Sequence, residues 1–259
     1  MIGMYRDALR LEIQRLVSVR STYVLVSLAV TTAVLLDLFI AVFSPVGTLS
    51  HDDTAAALTV GADLSPLSVV GLWVGVLAVT AVSHDYRYRL VRAVLTAVPR
   101  RGVLLAARLT VLGVVAAACA SLVPLLSAAG CLALGRRPVL DTTTAHVVAA
   151  HLVVVVGWAW LGAGVGWLVR HAAGAIAVLL VVPLIVEPLL LLAIRWGPGK
   201  ALLRPVVPVL PFSAAREALG QQLDPGRGSI GALLSAVVFG VEVVVVILLT
   251  WAVVRRRDA

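Results

Sequence analysis

"ALLSAVVFGVEVVVVILLTWAVV" (Ala232–Val254) carries one charged residue, Glu242, across its whole length. A helix needs about 20 apolar residues to cross the hydrocarbon of a bilayer, and this run supplies them. Only a structure that satisfies its own backbone polar groups survives there, and for a single segment that means a helix. The same texture appears near the start of the chain, in "YVLVSLAVTTAVLLDLFIAVF" (Tyr23–Phe43). Apolar residues in this protein come in long runs and are not scattered at core periodicity.

Composition agrees. The 259 residues are 61% hydrophobic and 13% charged, against roughly a quarter charged in soluble domains. The expected fold is therefore an all-α polytopic membrane protein. Six transmembrane helices are expected, over 22–43, 64–83, 103–134, 145–169, 173–195 and 230–254. The third is kept as one tilted span that bends at Pro124. The first run is too long for a cleavable signal and follows a charged helix, so it is expected to remain as a span.

Net charge is +8, which in a soluble protein would suggest nucleic acid. Here the basic residues sort by side. With both termini inside, the inner pieces hold fourteen of the 21 Lys and Arg, from Arg6 to Arg20, Arg87 to Arg108, Arg170 and Arg255 to Arg257. The outer pieces hold the other seven. That excess is the positive-inside signal; it places both termini in the cytoplasm and makes nucleic-acid binding unnecessary.

Two amphipathic elements accompany the spans. At residues 1–21, Ile2, Tyr5, Leu9, Ile13 and Leu16 recur at helical spacing against Arg6, Asp7, Arg10, Gln14 and Arg15. A helix along the cytoplasmic face is expected there, ahead of a transmembrane domain over 22–259. In the outer loop 196–229, "FSAAREALGQQL" after Pro211 reads as a short helix capped by Ser213.

Catalytic chemistry finds few residues. "GPGKA" (Gly197–Ala201) lacks the upstream glycine and following hydroxyl of a phosphate-binding loop. The histidines show no metal-ligand spacing; His146 and His151, with Asp141 nearby, read as an interfacial group, and no metal site is assigned. Cys119 and Cys131 fall on one helix about 18 Å apart and cannot pair. Asp37, Glu187 and Glu242 lie inside spans, where an unpaired acid costs about 2.5–3.5 kcal/mol. They are candidates for a translocation path, against the plainer reading of carboxyls bonded to neighbouring helices. "GAGVG" (Gly162–Gly166) allows close helix approach, with intramolecular packing favoured over a dimer seam.

"SHDYRYRLVRAVLTAVPRRG" (Ser83–Gly102) is the densest polar segment. Tyr86, Leu90, Ala93, Val94 and Ala97 share one helical face, with Arg87, Arg89 and Arg92 around it, and Pro99 ends the helix. Arg100, Arg101 and Arg108 are expected at the lipid headgroups. An apolar face with two tyrosines suits a protein surface better than a plain topogenic loop.

Over this segment the chain resembles the permease subunits of bacterial type-2 ABC transporters. Their acid, aromatic and basic cluster followed by Leu-x-x-x-Pro-x-Arg is matched by Asp85, Tyr86, Arg87, Arg92, Leu95, Pro99 and Arg101. Their N-terminal run is matched by Glu12, Arg15, Leu16, Ser18 and Arg20. "VLPF" (Val209–Phe212) is shared, whereas the family's Gly-Thr is replaced by Arg89-Leu90. The resemblance implies a coupling helix over 84–98, between spans two and three. On it Asp85, Tyr86, Arg87, Tyr88, Arg89, Arg92, Leu95, Pro99 and Arg101 would dock on a separate ATPase subunit. ATP and Mg would belong to that partner, with no cofactor in this chain and no enzymatic activity of its own. A second permease copy, identical or not, would complete an exporter in the bacterial cytoplasmic membrane. An ATP-independent ion-coupled carrier using Asp37, Glu187 and Glu242, or an immunity-type membrane protein, are the other readings.

Overall fold

A computed structural model describes residues 2–44, 46–59, 68–87, 101–196, 210–219 and 232–257. The described residues are almost entirely helical. In chain order they form α1 (Ile2–Ser18), α2 (Arg20–Phe43), α3 (His51–Thr59), α4 (Val69–Arg87), α5 (Arg101–Ala133) and α6 (Thr142–Val169). After these come α7 (Ala172–Val181), a π turn (Val182–Val186), α8 (Glu187–Trp196), α9 (Pro211–Ala218) and α10 (Ala232–Arg257). Two short parallel strands, β1 (Gly47–Thr48) and β2 (Arg136–Arg137), pair between the loops.

Five helical stretches are long and apolar enough to cross a membrane: α2, α5, α6, α7 with α8, and α10. A shorter apolar helix, Val69–Asp85, lies among them, where the sequence predicts the second span at 64–83. Residues 64–67 of that span lie outside the described residues. The helices alternate in direction. On α4, Gly71 meets Trp158 and Gly166 of α6 meets Val79 and Val82, so the two helices run parallel. Gly113 of α5 meets Trp160, with Arg108 further back against Trp167, so α5 runs antiparallel to α6.

The packing logic is that of a membrane protein. On α2 the buried stripe is Ala29, Ala33, Asp37 and Ala41, while Leu35, Phe39 and Phe43 are exposed. Small residues face neighbours and large ones face outward, because lipid tails are as apolar as leucine and only close contact rewards association. Glycines carry the centre. A Cβ on Gly162 of α6 would stand 2.3 Å from the Gly75 carbonyl oxygen, and one on Gly164 would stand 2.8 Å from Val246. "GAGVG" is thus an internal seam, joining α6 to α4 on one side and to α10 on the other.

Several local features differ from the sequence reading. The loop 44–63 contains α3, nine residues long, whose mixed composition gives no strong periodic signal. α5, by contrast, is one helix through Pro124, as the single-span reading expects. The fifth span carries a π turn that starts at Pro183's neighbour Val182; proline lacks the N–H for the regular ladder, and the Glu187 N–H bonds Val182 O, five residues back. Such turns rotate the helix beyond them, which decides where Glu187 points.

Candidate functional site

The strongest polar cluster forms where α1, α4 and α5 meet. Arg108 lies two turns into α5 and is 2% exposed. Its Nε donates to Glu12 Oε2 at 2.9 Å and its Nη2 to Glu12 Oε1 at 2.6 Å. Its Nη1 donates to Asp85 Oδ2 at 2.7 Å. Arg15 donates to both Asp85 oxygens, from Nη1 at 3.2 Å and from Nη2, and its Nη1 reaches Glu12 Oε1 at 3.4 Å. The Trp167 ring of α6 lies 5.8 Å from the Arg108 guanidinium carbon, within cation–π range.

Two carboxylates and two guanidiniums alternate, so the group is neutral and most of its donors are used. That is the arrangement in which burial of charge is tolerable. Arg15 keeps some contact with solvent through a small cleft lined by Leu16, Val19, Ser21, Thr22, Leu77, Thr80, Ala81 and His84. Burial and the nearby Arg108 charge lower the Arg15 pKa from its ordinary value, and Glu12 opposes that.

This cluster corrects three expectations. Arg108 is buried among α1, α4 and α5 and does not reach outward. Asp85 is 5% exposed and engaged inside the protein, so it is not a docking side chain. It also belongs to α4, which continues to Arg87 without a break at residue 84. Finally, the buried face of α1 runs through Ala8 and Glu12, while Ile13 is 49% exposed. A hydrophobic pattern assigns Glu12 to the polar side; only its partner on α5 makes it a buried residue. Tyr86, Arg87 and Arg101 close α4 or open α5, and their side chains lie outside the described residues. Tyr88, Arg89, Arg92, Leu95 and Pro99 lie wholly outside them.

The three acids of the spans have different settings. Asp37 is fully buried and accepts a 2.5 Å bond from Ser127 Oγ of α5. Glu187, 2% exposed, accepts from the backbone N–H of Phe212 at 3.2 Å, from the N–H of Ser213 at 2.5 Å, and from the Ser213 hydroxyl. It therefore caps α9 from the start of α8. Ser213, expected as the cap, sits inside the first turn, and Leu210 at the cap position offers no side-chain bond. A carboxylate suits that place because unsatisfied N–H groups and the helix dipole both favour negative charge. Glu242 is half-buried on α10, and its Oε2 is buried without a hydrogen-bond partner.

α9 is buried nearly all round, with Phe212 packed against Trp158, the two rings tilted by 43° and their centroids 4.9 Å apart. Arg216 of this helix is 7% exposed, and its Nε and Nη2 have no partner. His151, expected at an interface, is instead fully buried on α6 with both ring nitrogens unpartnered. Its neighbour in the sequence reading, Asp141, caps α6 through Thr144 N at 2.9 Å and faces His51 Nδ1 of α3 at 3.2 Å.

No protein-family model matches the chain, and no curated protein is similar to it.

Proposed function

We propose that this chain is the permease subunit of an ATP-driven exporter of the type-2 ABC class. It crosses the bacterial cytoplasmic membrane six times, with both termini in the cytoplasm. A separate ATPase binds ATP and Mg, docks on residues 86–98, and drives a pair of permease chains. The substrate is moved outward and is of an amphipathic, lipid-, drug-, peptide- or glycan-like kind.

The observation that carries this reading is the Glu12–Arg15–Asp85–Arg108 cluster. It ties α1 to the helices on either side of the segment 88–100. A push on that segment reaches both α4 and α5 through buried, charge-assisted bonds, and α1 moves with them. A loop needed only for topology requires no such fastening.

The test is to look for a neighbouring reading frame that encodes a protein with a phosphate-binding loop, and to measure co-purification and ATPase stimulation with that protein. Wild type is expected to bind and stimulate; the triple change of Tyr86, Arg87 and Arg92 to Ala is expected to do neither. Full binding and stimulation by that variant would overturn the docking assignment. The ion-coupled carrier gains support from Glu242, whose buried Oε2 is available to a proton or cation. Transport that persists without any ATPase would favour it.

A further inference from the structure

The cleft beside Arg15 lies where the elbow between α1 and α2 meets α4. Its polar lining is Glu12, Arg15, Ser21, Thr22, Thr80 and His84, and Leu16 and Leu77 contribute to its apolar side. The Arg15 side chain is 24% exposed. Its Nη1 and Nη2 face Asp85 end-on, and Nη1 also reaches Glu12. That leaves Nε–H and the second Nη2 hydrogen, which point the same way and form the side edge of the guanidinium. Nε bonds none of the described residues and is not sealed from solvent. The hydroxyls of Ser21 and Thr22, in the first turn of α2, likewise bond nothing among the described residues.

All of these open groups can donate. The side edge of a guanidinium takes two oxygens of one oxyanion side by side. Glu12 shares the cleft, but both its oxygens accept bonds from Arg108, and its charge is matched within the cluster. The four charged groups are neutral together, so the field left at the cleft is that of the first N–H groups of α2. Val19 gives them no side-chain cap, and such a helix end favours an anion. A carboxylate would spend both oxygens on Arg15 and leave the hydroxyls unmet; a phosphate has oxygens for both. The position suits a lipid. α2 has 24 residues, about 36 Å at helical rise, against hydrocarbon about 30 Å thick. Ser21 and Thr22 stand at its end, at the level of the headgroups. Leu25 and Val26 follow Thr22 on the same face and are only partly buried, so apolar surface runs on from the cleft along α2.

We propose that this cleft is a phosphate site and seats the headgroup of an anionic phospholipid. Two phosphate oxygens meet the side edge of Arg15, and the hydroxyls of Ser21 and Thr22 donate to the others. An acyl chain lies along Leu25 and Val26. A lipid held there ties the elbow of α1 and α2 to α4. The site stands independently of the transport reading, since it requires only that α2 cross the membrane.

Native mass spectrometry of the full-length protein in detergent tests it, with dioleoyl phosphatidylglycerol and dioleoyl phosphatidylcholine as probes. The two lipids share a phosphate and acyl chains, but choline brings a cation to a site built of donors. Wild type is expected to retain the glycerol lipid about tenfold more tightly, the order of one charge-assisted bond. Any basic surface favours an anionic lipid, so the variants decide the location. Arg15→Lys keeps a charge for Asp85 but has no side edge, and it is expected to lose the preference. So is Ser21→Ala combined with Thr22→Val, at positions outside the ion cluster. Arg10→Gln removes an exposed charge from the same helix and is expected to keep the preference. An undiminished preference in the Ser21 and Thr22 variant would overturn the site, as would an equal loss in Arg10→Gln. Those two comparisons stand even if Arg15→Lys fails to fold. Excess inorganic phosphate separates the sources: displacement of the lipid would make the free anion the ligand and overturn the lipid assignment, whereas retention supports it.

Discussion

Arg108 shows most clearly how one residue acquires its role. In the sequence it is one more arginine near a span end; in the fold it bonds two acids from two other helices. Removing one member of a buried, hydrogen-bonded ion group leaves the rest uncompensated, at a cost of about 3–5 kcal/mol. Arg108→Ala is therefore expected to lower the detergent melting temperature sharply, and Asp85→Ala to do the same. In the double variant the losses should fall well short of their sum, because the two residues share bonds; simple additivity would show that they do not act together. Glu187 allows a second prediction. Glu187→Gln keeps the shape but gives up charge and one acceptor oxygen, at about 1–3 kcal/mol. Limited proteolysis of the 197–231 region should then speed up, since α9 loses its cap; an unchanged cleavage rate would mean the cap does not hold that helix.

Among the elements, α6 is the axis, and its glycines set the distances. Gly162→Leu would drive a side chain into the Gly75 carbonyl, a backbone atom that cannot step aside without parting α4 from α6. Overpacking of this kind costs about 1–3 kcal/mol or more, so the variant should be poorly expressed or aggregate on extraction. Gly3→Ala, where a Cβ meets nothing within 4 Å, is the matched control. The start of α6 gives a pH dependence. The Thr144 N–H, foremost, and the His51 charge hold the Asp141 carboxyl below its ordinary value. A carboxyl depressed in the folded state adds stability that is present above its unfolded range and is lost as pH falls through the folded value. Stability should therefore decline on acidification from about pH 4 downward. Asp141→Asn should flatten that part of the profile; an identical profile would remove Asp141 from the account.

For the whole molecule, six crossings and five make opposite predictions for the termini. Helices that alternate in direction, with Val69–Asp85 as one of them, put residues before α1 and after α10 on the same side. Reporter fusions at the two ends should therefore both report the cytoplasm; opposite sides would remove one crossing, and α4 would be the one to re-examine.

The sequence alone determined that this is a helical membrane protein and where its long apolar segments lie. Runs of about 20 apolar residues have one stable solution in a bilayer, whatever packs beside them. It also marked "GAGVG" as a place of close approach, because only residues without bulk admit another backbone. Tertiary structure alone decided the partners of the charges. Glu12 and Arg108 are 96 residues apart and Glu187 and Ser213 are 26 apart, and no local period relates such pairs. The π turn that aims Glu187, and the burial of α9 that makes its polar face an interior one, likewise depend on neighbours from distant parts of the chain. Apolar pattern is local physics and was legible; the pairing of buried charge is set by which helices touch.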